Sequence, residues 1–392
     1  MVVETTRELE ALEAQAKTLM NVFATAGHEA VAPAIIQPAD VFLDVVGESL
    51  RARTYVFTDP DGAELCLRPD LTVPTCRLHL ARHVDPATPA RYCYNGAAFR
   101  IQPVDADAAH PREFRQAGFE RFGDVAREEA EAKTISLVVT ALEKAGLTTW
   151  TLKLGDLGLF SSVLDEAGLS PRWKKRLDDA FLRPRAFREA LKAFTRGVRS
   201  APLALPDSLL SSLDRENTEP SEAAVLAYLE EKGIELFGTR ALADITANLV
   251  TIAEGREETP LDETAAKLIS DYIDVSGPAR TAGAKIARLL KGARAGSGAA
   301  LETYDRRLAL LSNAGIDLDR VMFSAEYGRT LDYYTGLVFE VHTGTAGTGS
   351  PVANGGRYDA LMRAAGANAD IPAVGAAIHT ERLLAAVRGV SL

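Results

Sequence analysis

Cysteine is scarce: Cys66, Cys76 and Cys93 are the three in 392 residues, odd in number and without a CxxC pair. That excludes a disulfide framework and a structural zinc site, and it fits a reducing compartment. Also missing is any run of about eighteen consecutive apolar residues, so no membrane span is expected. The N-terminus, MVVETTRELEALEAQAKTLMNVFATAG, spaces acids helically where a secretory leader carries a basic segment and then an apolar core. No signal peptide is read there, and the expected location is cytoplasmic. Positive charge is in deficit, 44 Lys and Arg against 54 Asp and Glu, which leaves no global attraction for nucleic acid or an anionic membrane. Two familiar catalytic spacings are absent as well. GTAGTGSPVANGG is rich in glycine but lacks the GxGxxG phosphate-loop pattern, and is expected to be a mobile loop entering a turn at Asn354 and Gly355. In LHLARH, His79 and His83 stand four apart, yet Leu80 occupies the place of a zinc protease's glutamate; two surface histidines are expected, and neither metal nor cofactor.

What is present is a globular chain. Hydrophobic residues make up 47% and charged residues 25%, proportions that suit a soluble fold, and the length suits two domains. Leu9, Leu12, Ala16, Leu19, Met20 and Phe23 recur at helical steps, predicting an amphipathic first helix closed by Gly27. YVFTDPDGAELCLRP predicts a hairpin about DPDG, and DLTVPTCRLHLARHV a helix with Pro74 in its first turn. ARYCYNGAAFRI and EFRQAGFERFGDV predict two antiparallel strands joined by VDADAAHP. From Ser170 helical periodicity takes over, and strand character returns only at VMFSAEYGRTLDYYTGLVFEV. The predicted organisation is a discontinuous sheet-and-helix core, 1–168 and 318–392, around a helical insertion, 169–317.

Arg172 to Arg199 holds ten Lys or Arg against three acids, with Trp173, Phe181, Phe187 and Phe194 interleaved. Such a segment suits RNA phosphates or an acidic protein face, or else a solvated helix with its aromatics turned to the core. Both readings stay open on sequence.

Three stretches concentrate recognition chemistry. LRPDLTVP sets Asp70 and Thr72 just after a predicted strand, YNGAAFR sets Arg100 near a strand end, and FRQAGFERFG sets Gln116 and Glu120 four apart, on one face of a strand. With RTLDYY, which adds Arg329, Tyr333 and Tyr334, these supply carboxylates, phenols, an amide and guanidiniums. A zwitterionic amino acid needs that set: carboxylates for its ammonium, a guanidinium for its carboxylate, and fixed donors and acceptors for a polar side chain.

LRPD-x-T, FR, FRQAGFERFG, RTLDYYTGLVFE, GGRYD and GAAIHTERLL, in that order, resemble the catalytic core of histidyl-tRNA synthetase, a class II aminoacyl-tRNA synthetase. The resemblance implies an α+β fold, an antiparallel sheet flanked by helices, and a homodimer, with Pro33 where the dimerisation motif carries its proline. It also implies that Asp70, Thr72, Gln116 and Glu120 hold the amino group of histidine. By the same resemblance, Arg329 stands where the family's arginine acts on the substrate carboxylate, and Tyr334 and Tyr358 match the tyrosines that line its imidazole pocket.

The nucleotide half departs from that family. In FRIQ, Gln102 replaces the glutamate that fixes adenine, and Asp105 and Asp107 stand in the loop where the family places basic residues for phosphates. Glu381 and Arg382 are kept in the third motif, but His379 replaces its glycine. The chain ends ten residues past Arg382, where a synthetase continues into an anticodon-binding domain. These departures, and the aspartate at position 70, resemble a paralogous family, the regulatory subunits of ATP phosphoribosyltransferase. The resemblance implies a non-catalytic protein that joins the short-form catalytic subunit in a hetero-oligomer for the first step of histidine biosynthesis, with L-histidine as feedback effector. The alternatives are a truncated synthetase-like ligase that activates histidine with ATP, and an RNA-binding module built on RWKKR.

Overall fold

The computed structural model describes residues 5–43, 48–102, 110–181, 184–196, 205–214, 217–234, 242–254, 260–290, 296–327, 333–344 and 350–390. The first element starts where Thr5 and Glu8 cap each other: the Thr5 amide donates to Glu8 Oε2 (2.8 Å) and the Glu8 amide to Thr5 Oγ1 (3.3 Å). This capping box opens the helix Thr6–Thr25, which buries Leu12, Ala16, Leu19 and Phe23. Gly27, at a φ of 84°, ends it as the sequence predicts.

The strands are β1 (Glu29–Ala30), β2 (Ile36–Pro38), β3 (Tyr55–Thr58), β4 (Glu64–Leu67), β5 (Ala90–Phe99), β6 (Glu113–Phe122), β7 (Trp150–Asp156), β8 (Ser276–Pro278), β9 (Val321–Ser324), β10 (Leu337–Thr343), β11 (Ala353–Arg357) and β12 (Ala373–His379). Among the described residues one sheet runs β1-β5-β6-β12-β11-β10-β7-β9-β8, and a small second sheet runs β2-β4-β3. Pairing is antiparallel except at β1–β5 and β7–β9. The predicted β5/β6 pair and the DPDG hairpin are both present. In the hairpin, Asp59 Oδ1 accepts from the amides of Asp61 and Ala63 (3.0 and 2.9 Å).

Register divides the large sheet into two faces. Ala117, Phe119, Ala376, Ile378, Phe339, Val341, Leu152 and Leu154 align across it, and the rings of Phe23 and Phe119 meet 4.9 Å apart. That apolar face is covered by the helices Thr6–Thr25, Arg127–Lys144 and Thr380–Val387. The opposite face carries Tyr94, Gln116, Glu120, His379, Asn354, Glu340 and Lys153.

Two histidine and glycine expectations are corrected. His79 is fully buried rather than at the surface, its ring 4.6 Å from His83 and 4.7 Å from Phe122, because the helix Thr72–Arg82 turns Thr72, Val73, Cys76 and His79 inward. Asn354 and Gly355 lie in β11 rather than in a turn. A Cβ on Gly355 would come 2.4 Å from the Gly375 carbonyl oxygen, so the glycine serves close strand packing rather than a bend. The preceding residues 345–349 and the 103–109 stretch lie outside the described residues.

The backbone divides into a unit of Met1–Lys174 with Leu268–Leu392 and a unit of Lys175–Lys267. The helical unit is thus shorter than the 169–317 insertion expected. Residues 268–317 join the first unit because β8 extends the main sheet beside β9 and the helix Gly296–Asn313 packs on the helix Arg127–Lys144. A three-residue strand is too short to interrupt a helical periodicity in sequence. The Lys175–Lys267 unit is helical among its described residues, around Leu209, Leu210, Leu213, Val225, Leu249 and Val250. Phe181, Phe187 and Phe194 are buried there, with the Arg176 guanidinium 4.6 Å from the Phe194 ring, so the aromatics of the basic segment face the core.

Candidate functional site

Asp70 leads from β4 into the helix Thr72–Arg82. Its Oδ1 accepts from the Val73 amide (3.1 Å), which satisfies one free donor of the helix start. Its Oδ2 is buried and accepts no hydrogen bond among the described residues. Burial raises the Asp70 carboxyl above its ordinary range, opposed by the Arg100 guanidinium and the Val73 amide. Arg100 donates from Nε to the Pro69 carbonyl (2.8 Å) and lies 5.1 Å from the Phe114 ring.

Glu120 is the centre of the site. It is wholly buried on β6, Tyr94 OH donates to its Oε1 (2.9 Å), and Tyr358 OH donates to its Oε2. Burial pushes its carboxyl up to about 7; the Tyr358, Tyr94 and Thr72 hydroxyls favour the ionised form and the nearby Asp70 opposes it. The carboxylate lies flat on the sheet because Gly375 is its partner on β12, where a Cβ would stand 1.6 Å from Oε2. In the same way the Tyr94 ring lies over Gly118 and the Tyr334 ring over Gly356.

The phenols cluster beside Glu120. The Tyr333 ring lies tilted 5.0 Å from Tyr334 and edge-on 6.0 Å from Tyr358, and the Tyr334 hydroxyl bonds the Asn354 side chain. Gln116 points to the same face as Glu120, as the four-residue spacing predicts, and its Oε1 is buried and unpartnered. Gln116 and Glu120 thus share one face of the main sheet, Thr72 and Tyr358 bond Glu120, Asp70, Tyr333 and Tyr334 interact with its charge, and Arg100 with that of Asp70. Arg329 lies outside the described residues. Sequence reasoning missed Tyr94 and Asn354; the alternation of Tyr92 and Tyr94 opposite FRQAGFERF was the available signal for the first.

The neighbouring region is occupied by the chain's own contacts. Gln102 Oε1 accepts from Arg53 Nη2 (2.6 Å), Glu381 Oε1 from the Arg115 amide (2.7 Å), and Arg382 Nη1 donates to the Pro351 carbonyl (3.0 Å). His379 is buried with its ring 5.3 Å from Phe114. Burial holds the His379 imidazole well below its usual range, with the Arg382 and Arg100 charges adding to the effect, so it is neutral. Asp105 and Asp107 are outside the described residues. Among those described, no group of three or more His, Cys, Asp or Glu is placed to hold a metal.

Two buried carboxyls, Asp70 and Glu120, thus stand near the Arg100 guanidinium, with Asp70 Oδ2 and Gln116 Oε1 carrying no hydrogen bond among the described residues. The histidyl-tRNA synthetase family model matches residues 5–231 and 239–383. The chain is 35% identical over 377 residues to an ATP phosphoribosyltransferase regulatory subunit of Allorhizobium ampelinum, covering 94% of this chain and 96% of that protein. It is 35% identical over 384 residues to the protein of that name from Agrobacterium fabrum, covering 95% and 96%. Among solved structures, an ATP phosphoribosyltransferase regulatory subunit/histidyl-tRNA synthetase from Bacillus halodurans C superposes with a TM-score of 0.70 at 20% identity, covering 99% of this chain and 81% of that one. A histidyl-tRNA synthetase from Nostoc sp. PCC 7120 superposes with a TM-score of 0.60 at 16% identity, covering 97% and 72%; at such identities the likeness speaks for the fold alone. On the histidyl-tRNA synthetase fold, this chain belongs to the family of ATP phosphoribosyltransferase regulatory subunits.

Proposed function

We propose that this regulatory protein assembles with a short-form ATP phosphoribosyltransferase catalytic subunit in the first step of histidine biosynthesis, and that L-histidine bound in the Glu120 pocket is its feedback signal. The observation that carries the ligand assignment is the pairing of two unpartnered buried acceptors, Asp70 Oδ2 and Gln116 Oε1, with Arg100 in a pocket centred on a buried carboxylate. Asp70 and Glu120 suit an ammonium and an imidazole N–H, and Arg100 with Arg329 suits a carboxylate. A ligand that binds one state of a complex more tightly shifts the whole assembly toward that state.

The partner reading includes a homodimer. On the outer face of the small sheet, register aligns Ile36, Leu67 and Tyr55, and beside them Pro38, Leu65 and Phe57. Ile36 and Phe57 are 51% and 38% exposed, an apolar face that a second copy would cover, as the resemblance to a dimeric family implies. Among the described residues no helix is long and apolar enough to cross a membrane, and we read the complex as cytoplasmic.

The test mixes the purified chain with a short catalytic subunit and assays phosphoribosyl transfer with and without L-histidine. The expected result is activity only in the mixture, inhibited by histidine. Activity of the catalytic subunit alone, unchanged by this chain, would refute the reading. The ligase alternative draws on the retained Glu381 and Arg382. It predicts histidine-dependent exchange of pyrophosphate into ATP, which the neutral, buried His379 and the Arg53–Gln102 bond oppose; exchange above a no-protein control would favour it.

A further inference from the structure

We infer that Arg357, with Glu131 and Arg307 behind it, positions the pocket from the opposite face of the sheet, holding Tyr358 and the Tyr334 segment where the ligand meets them. Strand alternation sends Arg357 toward the helix layer while the next residue, Tyr358, reaches Glu120. Arg357 is 3% exposed; it donates from Nε to Glu131 Oε1 (2.5 Å), from Nη1 to Asp359 Oδ1 (2.9 Å) and from Nη2 to the Arg127 carbonyl (2.9 Å). Glu131 Oε2 in turn accepts from Arg307 Nε (2.5 Å), and Arg307 Nη1 donates to Asp156 Oδ2. Asp156 caps the helix Leu157–Glu166 through the amides of Gly158 and Leu159 (2.8 and 3.2 Å). Its members come from the helices Arg127–Lys144 and Gly296–Asn313, the strands β7 and β11 and the helix Asp359–Ala364, so the guanidinium of Arg357 is held from several directions.

The network also grips both pocket segments. Asp359 Oδ1 accepts from the Ala373 amide (2.8 Å), and the Asp359 amide donates to Thr335 Oγ1 (3.0 Å). The Thr335 amide donates to the Arg357 carbonyl (2.8 Å), and a Cβ on Gly336 would meet the Arg357 stem at 3.2 Å. Tyr358 is therefore flanked on both sides by fixed residues, and Tyr334 is followed by one. Burying several charges this deeply rarely adds net stability over apolar side chains of the same volume. What such a network does supply is orientation, because Arg357 presents its donors in one rigid plane to three acceptors at once.

The pocket's ligand is taken from the histidine reading above; the positioning claim is tested with and without it. The whole chain is labelled with fluorotyrosine, and the Tyr358 resonance is assigned through Tyr358→Phe. Arg357→Lys keeps the charge but cannot span three acceptors, and Arg307→Lys perturbs the same network one residue further from the pocket. In the ligand-free chain both variants are expected to move or broaden the Tyr358 resonance while leaving that of Tyr228, in the other unit, unchanged. In calorimetric titration with L-histidine, Arg357→Lys is expected to weaken binding about tenfold alone, and by less than that in the Tyr358→Phe background, where the Tyr334 segment is what it still positions. A general loss of packing would multiply with Tyr358→Phe instead, and that result overturns the inference, as does an unmoved Tyr358 resonance in both lysine variants. A parent chain that takes up no histidine would refute the ligand assignment, and the fluorine spectra would still decide the positioning claim.

Discussion

Glu120 is a wholly buried carboxyl whose hydrogen-bond donors, the hydroxyls of Tyr358, Tyr94 and Thr72, are neutral. Its carboxyl is pushed up to about 7, chiefly by burial, from an ordinary 4.5 that the unfolded chain recovers. Between those values the folded protein holds a proton that the unfolded chain has released. Stability must then fall as pH rises, by about 1.4 kcal/mol per pH unit. The contribution is fully present below the lower value, and roughly 3 kcal/mol has been lost once pH passes the upper one. Glu120→Gln removes this titration while keeping the size of the side chain. Between about pH 5 and about pH 8 the stability difference between the two proteins should move in favour of the glutamine variant by roughly 2–3 kcal/mol. Asp70, raised by burial in the same direction, is present in both, so the difference between the proteins reads Glu120 together with its coupling to Asp70. Urea unfolding followed by the fluorescence of Trp150 and Trp173 reads the change, since both tryptophans belong to the first unit. Parallel pH profiles for the two proteins would refute the reasoning. The ligand inherits the same linkage: a bound cation compensates the ionised carboxylate, so histidine should bind the parent more tightly as pH rises through about 7, and the glutamine variant should lose that part of the dependence.

Gly375→Ala places a Cβ 1.6 Å from Glu120 Oε2 and 2.7 Å from the Phe119 carbonyl oxygen. It should abolish histidine binding in calorimetry and lower the unfolding temperature, whereas Gly298→Ala, with nothing within 4 Å, should do neither. Phe57→Glu puts a charge on the apolar face of the small sheet and should turn a dimer into a monomer by light scattering. Burial pushes the Cys66 and Cys93 thiols up to about 11 and raises Cys76 further, so the native chain should resist a thiol-disulfide reagent and react fully only in urea.

Local signals made much of this fold and site legible in the sequence. Pro74 in a first turn, DPDG between two β-prone runs, and Gln116 and Glu120 four apart each depend on chemistry within a few residues, and each holds in the structure. His79 escaped because two histidines on a polar-looking helix give no sign of which face meets Phe122. The glycines of β11 and β12 escaped for a related reason: they mimic a loop in composition, and only the cross-strand register shows that side chains from neighbouring strands lie flat over them.

The least legible feature is the one that joins the pocket to the helices. Glu131 and Arg357 are separated by 226 positions, and Arg307 and Asp156 by 151. Singly, each reads as a charge on a helix or at a strand end. Their pairing exists only once the sheet has brought β7 and β11 beneath the helices Arg127–Lys144 and Gly296–Asn313. A substitution of Glu131 is therefore expected to reach Tyr358 through Arg357, although the two lie on opposite faces of the sheet.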